Sequence, residues 1–279
     1  MFDFGQLITS RQNPTVKRIC ALCEKKKRYA ERLFRFDGIK LFGEAVERGL
    51  DIEYAVVCET ASDAVKEKIA RAAEGGAFEK RALLYVSEEV FAKISEESSP
   101  EGIITVARFP EGIHRCVEAS GYVAEQGERI LIAESVRDAG NLGTVVRSCA
   151  ALGIDRLLIS DDCADIYNPK TIRAAMGGLF ALQIDIVKTE ELSEAIRSLR
   201  ASGRRVYAAA LREDALTIGT LELRGCDCFV IGNEGHGLSQ NVIDACDACA
   251  IIPMSAGSES LNAAAAAAIC IWETVRAKA

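Results

Sequence analysis

Apolar and polar positions along this chain repeat with two periods, one near two and one near 3.6. From Asn13-Pro14, helical spacing runs to about Tyr29, with proline in the first turn, where its missing N–H is harmless. Leu33-Phe34-Arg35-Phe36 alternates like a short strand and stops at Asp37-Gly38. The pattern then predicts a helix over about 39–48, a strand over 53–58, and a helix capped by Ser62 that ends near 73. Apolar runs at 83–86 and 103–106 complete a small α/β domain spanning residues 1–110. Weak periodicity with Pro110, Gly112 and Gly121 marks residues 111–125 as a linker.

Residues 126–279 carry a second domain. Strands are predicted at 129–133, 156–160, 184–187, 205–209, 227–231 and 248–252, with helices at about 142–152, 190–200, 239–244 and 259–276. Strands alternating with helices make a mostly parallel sheet covered on both faces. Ligands in such sheets sit beyond the carboxyl ends of the strands.

Three loops expected at that edge carry unusual chemistry. In the first, Gly140 and Gly143 bracket Asn141 at a helix start, where free backbone N–H groups receive anions, and Arg147 follows inside the helix. In the second, Gly232-Asn233-Glu234-Gly235-His236-Gly237 follows an apolar strand, so a ligand can approach the backbone closely. Its spacing is not that of the dinucleotide-binding G-x-G-x-x-G. In the third, Ile252-Pro253-Met254 leads through a flexible stretch to Ser260-Leu261-Asn262 and six alanines. Ser258 or Ser260 is placed to cap that helix and Glu259 to favour its first turn. Each loop alone also reads as an ordinary turn or capped helix, and His236 as a solvated side chain.

Composition bounds the possibilities. At 279 residues, 49% hydrophobic and 27% charged, the chain is globular. It has no apolar run long enough to span a bilayer and no signal-peptide pattern, so a cytoplasmic location is expected, with no membrane partner. Eleven cysteines should then be thiols. Cys20/Cys23 and Cys246/Cys249 have zinc-like spacing, but they fall in separate domains without partners at the usual offsets, so no metal is expected. The net charge is −7, yet residues 1–40 hold ten Lys or Arg against four Asp or Glu, a local +6, which leaves −13 on the rest. Arg11, Lys17, Lys25, Lys26, Lys27 and Arg28 are therefore candidate phosphate-binding residues, the other reading being a solvated basic helix.

Together, the three loops resemble the SpoU (TrmH-type) branch of the SPOUT RNA methyltransferases. The resemblance covers nearly the whole chain: Asp138 through Arg147, Gly232 through Ser239, and Ile252 through Asn262 follow the three family motifs. The loop from Asn168-Pro169-Lys170 to Gly177-Gly178 is also similar, as is the opening Ile8-Thr9-Ser10-Arg11-Gln12-Asn13-Pro14. One departure is Asp37-Gly38, where the N-terminal domain of the family commonly has Glu-Gly. The resemblance implies a ribosomal-protein-like N-terminal substrate domain, a deep trefoil knot in the C-terminal domain, and a homodimer. It implies S-adenosylmethionine as cofactor, held by Gly232, Asn233, Ile252, Met254 and Leu261, and structured rRNA or tRNA as partner. Asn141, Arg147, Glu234, Ser260 and Asn262 take the catalytic positions, for methyl transfer to a ribose 2′-hydroxyl. In-line placement of the reacting atoms contributes on the order of 7–11 kcal/mol. Arg147, with a pKa above ~12, fits a phosphate grip and alkoxide stabiliser better than a base. Two other classes are open to these residues: a non-catalytic knotted RNA-binding protein, which should have lost some of the polar set, and a dehydrogenase, against which the glycine spacing argues.

Overall fold

The computed structural model describes residues 3–255 and 260–276. The chain divides into two compact units, Met1–Pro110 with Tyr167–Arg173, and Glu111–Ile166 with Ala174–Ala279.

The first unit runs α1 (Pro14–Ala21), α2 (Lys25–Glu31), β1 (Leu33–Asp37), α3 (Ile39–Glu47), β2 (Ile52–Cys58), α4 (Asp63–Glu74), β3 (Leu83–Val86), α5 (Glu88–Ile94) and β4 (Ile103–Arg108). Its sheet has the order β1-β4-β2-β3, antiparallel except for β2 and β3. Ile19, Phe42, Val56, Ile69, Phe91 and Ile104 fill the core. The single helix expected over 14–29 is two helices. Glu24 is extended between them, and Arg28 Nη1 donates to the carbonyls of Leu22 and Cys23 at 2.8 and 2.7 Å, which binds the break in place.

The second unit holds β5 (His114–Cys116), β6 (Ile130–Ala133), α6 (Ala139–Leu152) and β7 (Arg156–Ser160); α7 (Pro169–Ala175), whose residues up to Arg173 belong to the first unit, comes next in the chain. There follow β8 (Gln183–Val187), α8 (Leu192–Ala201), β9 (Val206–Ala209), β10 (Leu216–Thr217), β11 (Cys228–Ile231), α9 (Gln240–Ala245), β12 (Ala248–Ile251) and α10 (Ala263–Arg276). The stretch 111–125 thus contributes an edge strand, β5, and the loop similar to the family's at 168–178 is largely helical. The eight strands are ordered β10-β12-β9-β11-β6-β7-β8-β5 and every neighbouring pair is parallel. Central strands β6, β7 and β11 are buried along their whole length, as a sheet covered on both faces requires, while β10 at the edge is exposed. Leu192, Ile196 and Leu199 of α8 and Val242 of α9 pack on one face, and α6 and α10 pack together on the other.

Eleven free cysteines are spread through both units. Burial pushes the Cys163 thiol up to about 11 and those of Cys228, Cys246 and Cys270 up to about 12. These four are small apolar side chains in practice.

Candidate active site

Strands β12, β9 and β11 lie side by side and parallel, so their carboxyl ends form one lip of the large sheet. The segments that leave them line one cleft of about 670 Å³: residues 209–212 after β9, 231–238 after β11, and Ile252 and Met254 after β12. Ser260, Leu261, Ala263 and Ala266 close it from the side of α10. Five expected cofactor residues, Gly232, Asn233, Ile252, Met254 and Leu261, are all in this wall, as are Glu234 and Ser260.

The loop after β11 is folded tightly on itself. Asn233 and Gly237 exchange backbone hydrogen bonds of 3.0 Å in both directions, and Asn233 Oδ1 accepts from the N–H groups of Gly235 and His236 at 2.8 and 3.1 Å. A Cβ on Gly232 would lie 2.5 Å from the Gly237 carbonyl carbon. Glycine is required there by the loop's own backbone, a demand separate from any ligand.

A chain of side-chain amides joins the three motifs. Helix α6 begins earlier than its apolar spacing predicts, because Asp138 caps it: Asp138 Oδ1 accepts from Asn141 N at 2.8 Å. The Asn141 carboxamide is thereby spared from capping. Its Nδ2 donates to Glu234 Oε1 at 2.9 Å, and its Oδ1 accepts from Asn262 Nδ2 at 2.9 Å. Asn262 Oδ1 in turn accepts from Ala264 N at 2.9 Å and Ala265 N at 3.3 Å, so Asn262 caps α10. Of the caps considered from sequence, Ser258 lies outside the described residues, as does Glu259, and Ser260 is exposed on the cleft wall. Each amide has its donor and acceptor sense determined by its neighbours, so the row is rigid in orientation.

Arg147 is exposed on α6, six residues beyond Asn141, and has no hydrogen-bond or ion-pair partner among the described residues. Glu234 Oε1 instead accepts from Asn141. In the first unit, Arg11, Lys17, Lys25, Lys26 and Lys27 are exposed, with Lys25 Nζ 5.6 Å from the centre of the Tyr29 ring. Arg28 is a correction to the basic set. It is 2% exposed and its guanidinium holds the α1–α2 break, so it is not available to phosphate. Arg18 and Arg35 are committed in the same way, to Glu31 and Glu53 and to the Ile94 carbonyl and Glu96.

Sequence reasoning missed the wall that β9 supplies. Ala209, Ala210, Leu211 and Arg212 line the cleft, and Arg212 Nη2 donates to Gln240 Oε1 at 2.5 Å across its mouth. The segment has no glycine to single it out; only its place after a parallel strand marked it.

The fold and site thus define a parallel α/β protein with a ligand cleft at the carboxyl lip of its sheet and an amide–carboxylate row at the rim. The model of the SpoU rRNA Methylase family matches residues 128–272, and that of the MRM3-like substrate binding domain matches residues 13–105. The chain is 31% identical over 268 residues to the 23S rRNA (guanosine(2553)-2'-O)-methyltransferase RlmP of Bacillus subtilis, covering 95% of this chain and 97% of that protein. It also resembles the AdoMet-bound rRNA methyltransferase from Sinorhizobium meliloti, with a TM-score of 0.81 and 28% identity over 98% of each chain. A solved RNA 2'-O ribose methyltransferase matches with a TM-score of 0.78 and 29% identity, covering 98% of this chain and 99% of that one. The chain belongs to the SpoU rRNA methylase family.

Proposed function

We propose that this protein methylates a ribose 2′-hydroxyl in structured RNA, most specifically ribosomal RNA, with S-adenosylmethionine (AdoMet) as donor. The observation that carries the reading is the row Asn262–Asn141–Glu234 at the rim of the cleft, in a chain of this family. The relatives named as 23S rRNA enzymes favour rRNA over tRNA as the substrate.

The cleft suits the donor. Its volume of about 670 Å³ is in the usual range for small-ligand sites. Ile231, Ile252, Met254 and Leu261 offer apolar surface for an adenine ring, and the 232–238 backbone offers polar groups for ribose and amino-acid atoms. Gly232, Asn233, Ile252, Met254 and Leu261 are the residues that hold it in this reading. Bound there, S-adenosylmethionine supplies a methyl group already activated on a sulfonium, so the chemistry asks for no metal.

The chain's own residues do the rest. Arg147, cationic and without an ion-pair partner among the described residues, grips the phosphate next to the target and stabilises the developing alkoxide. Asn141 and Ser260 hydrogen-bond the ribose, Asn262 fixes the Asn141 amide, and Glu234 anchors the row to the cofactor loop. Arg11, Lys17, Lys25, Lys26 and Lys27 give the first unit its affinity for RNA. We divide the chain accordingly into a substrate domain at 1–110, a connection at 111–125 and a catalytic domain at 126–279.

Two further features belong to the proposal. Strand β11 enters between β6 and β9, and β12 then pairs outside β9, an order of the kind a trefoil knot produces. Trp272 is 55% exposed on α10, a helix that opens with six small alanine side chains, which supports a homodimer through that helix; light scattering at micromolar concentration should give twice the monomer mass. A cytoplasmic location belongs to the same reading, supported by the likeness to the Bacillus subtilis enzyme.

The test is a map of 2′-O-methyl sites in ribosomal RNA from cells with and without the gene. Loss of a single site is expected, and identical maps would contradict the assignment.

A further inference from the structure

Strand β6 is followed directly by two residues that grip the cofactor loop at both of its ends. Glu134 is 4% exposed, and its Oε2 accepts from Ser239 N, where the loop passes into α9, at 2.8 Å. Its own N–H continues the β6–β11 ladder, donating to the Ile231 carbonyl at 2.9 Å. The next residue, Ser135, receives the other end: its carbonyl accepts from Asn233 Nδ2 at 2.8 Å. That same Asn233 side chain organises the turn through Gly235 and His236.

Two details set this arrangement apart from ordinary packing. Burying a carboxyl group without a cation is costly, and among the described residues none pairs with Glu134. Ser135 has φ +54°, a left-handed conformation that a non-glycine residue keeps only when its surroundings impose it. They do so here. Ser135 N donates to Ser160 Oγ at 2.8 Å and Ser135 Oγ to Asp162 Oδ2 at 2.6 Å. Asp162 also accepts from Ser160 Oγ at 2.7 Å, Arg137 Nη2 at 2.9 Å and Thr189 Oγ1 at 3.0 Å. Although burial acts to raise it, these donors hold its carboxyl down at about 2, so the anchor stays ionised at any working pH.

We propose that Glu134 and Ser135 are positioning residues which hold the 232–239 loop in its donor-binding shape, from the end of the strand beside it. The inference rests on the reading of the cleft as an S-adenosylmethionine site. A loop not held in that shape must be ordered by the ligand, and apparent affinity falls by the fraction of molecules in the competent form. Neither side chain touches the transferring methyl group in this account. The effect should therefore fall on donor binding and leave turnover at saturation alone.

Two conservative variants separate this role from a general need for charge. Glu134→Gln retains a carbonyl acceptor at the same reach and loses the charge. Glu134→Asp retains the charge and withdraws the acceptor by one methylene. Calorimetry with S-adenosylmethionine should give an affinity within threefold of the native chain for Glu134→Gln. For Glu134→Asp it should be at least tenfold weaker, with the donor KM raised to match and kcat within threefold. Thermal melts of both variants are run first, and Ser135→Gly, which relieves the strain and removes the Asp162 bond, serves as an independent probe and should lower affinity at least threefold. The reverse ranking, or equal native affinity in Glu134→Asp and Ser135→Gly, overturns the proposal. If the native chain itself gave no heat with S-adenosylmethionine, the functional reading would fail instead, and the two failures are distinct.

Discussion

Arg147 and Arg28 lie in segments that both looked like cationic ligand-binding sequence, and they have opposite fates. Arg28 is turned inward to two carbonyls; Arg147 stands in solvent with no partner among the described residues. An unpaired exposed cation costs little to keep and is ready for an anion, whereas Arg28 is spent on the chain's own backbone. Arg147→Ala should accordingly lower kcat at least a hundredfold while donor affinity stays within threefold, and Glu234→Ala should act in the same sense. Rates and calorimetry on the same preparations check this; near-native turnover in either variant removes its role. His114 offers a test of a different kind. Burial pushes its ring down to about 4 from 6.5, against a contact of 3.0 Å with the Leu179 carbonyl. The folded state keeps the ring neutral while the unfolded chain protonates it, so stability is lost as pH falls from about 6.5 to about 4. The loss is at most about 3–4 kcal/mol, at about 1.4 kcal/mol per pKa unit. His114→Asn, which cannot titrate, should lose less melting temperature across that window than the native chain.

At the scale of elements, the strands were the most legible part. Continuous apolar runs such as Leu131-Ile132-Ala133 and Phe229-Val230-Ile231 belong to fully buried parallel strands, and it is their shortness and flanking residues, more than periodicity, that mark them as strands. Helix starts were less legible, because a cap is a tertiary decision. Asp138 rather than Asn141 caps α6, and Asn262 caps α10, so the two asparagines that the motifs display serve different purposes. The break after Ala21 depends on an arginine side chain seven positions ahead, which no periodicity registers. Glycines in the loop after β11 were legible as unusual, but the reason at Gly232 is a backbone 2.5 Å from where a Cβ would lie. Gly232→Ala should therefore open the turn and weaken S-adenosylmethionine binding at least tenfold. Retention of near-native affinity by a folded Gly232→Ala variant would mean that the turn is not part of the binding surface.

For the whole molecule, the governing feature is segregated charge: +6 on residues 1–40 against −13 on the remainder. A polyanion is repelled by most of this chain and drawn to one part of it. Contacts to phosphate release counterions, so RNA affinity should fall steeply with salt, each contact adding ~0.7–0.9 to the logarithmic slope. Replacing Lys17, Lys25, Lys26 and Lys27 by Ala in the full chain should flatten that slope without altering the melting temperature, because all four are exposed. The chain is kept whole for this test because Tyr167–Arg173 belongs to the first unit. An unchanged slope would return the cluster to the role of a solvated surface. The central claim is that the chain moves a methyl group to a ribose oxygen, and one measurement reads it directly. Purified protein is incubated with S-adenosylmethionine carrying a labelled methyl group and with ribosomal RNA lacking modifications, and the RNA is then digested to nucleosides. Label in a single 2′-O-methylnucleoside is the predicted result; label on a base, or none in RNA while the donor is bound, would contradict the account.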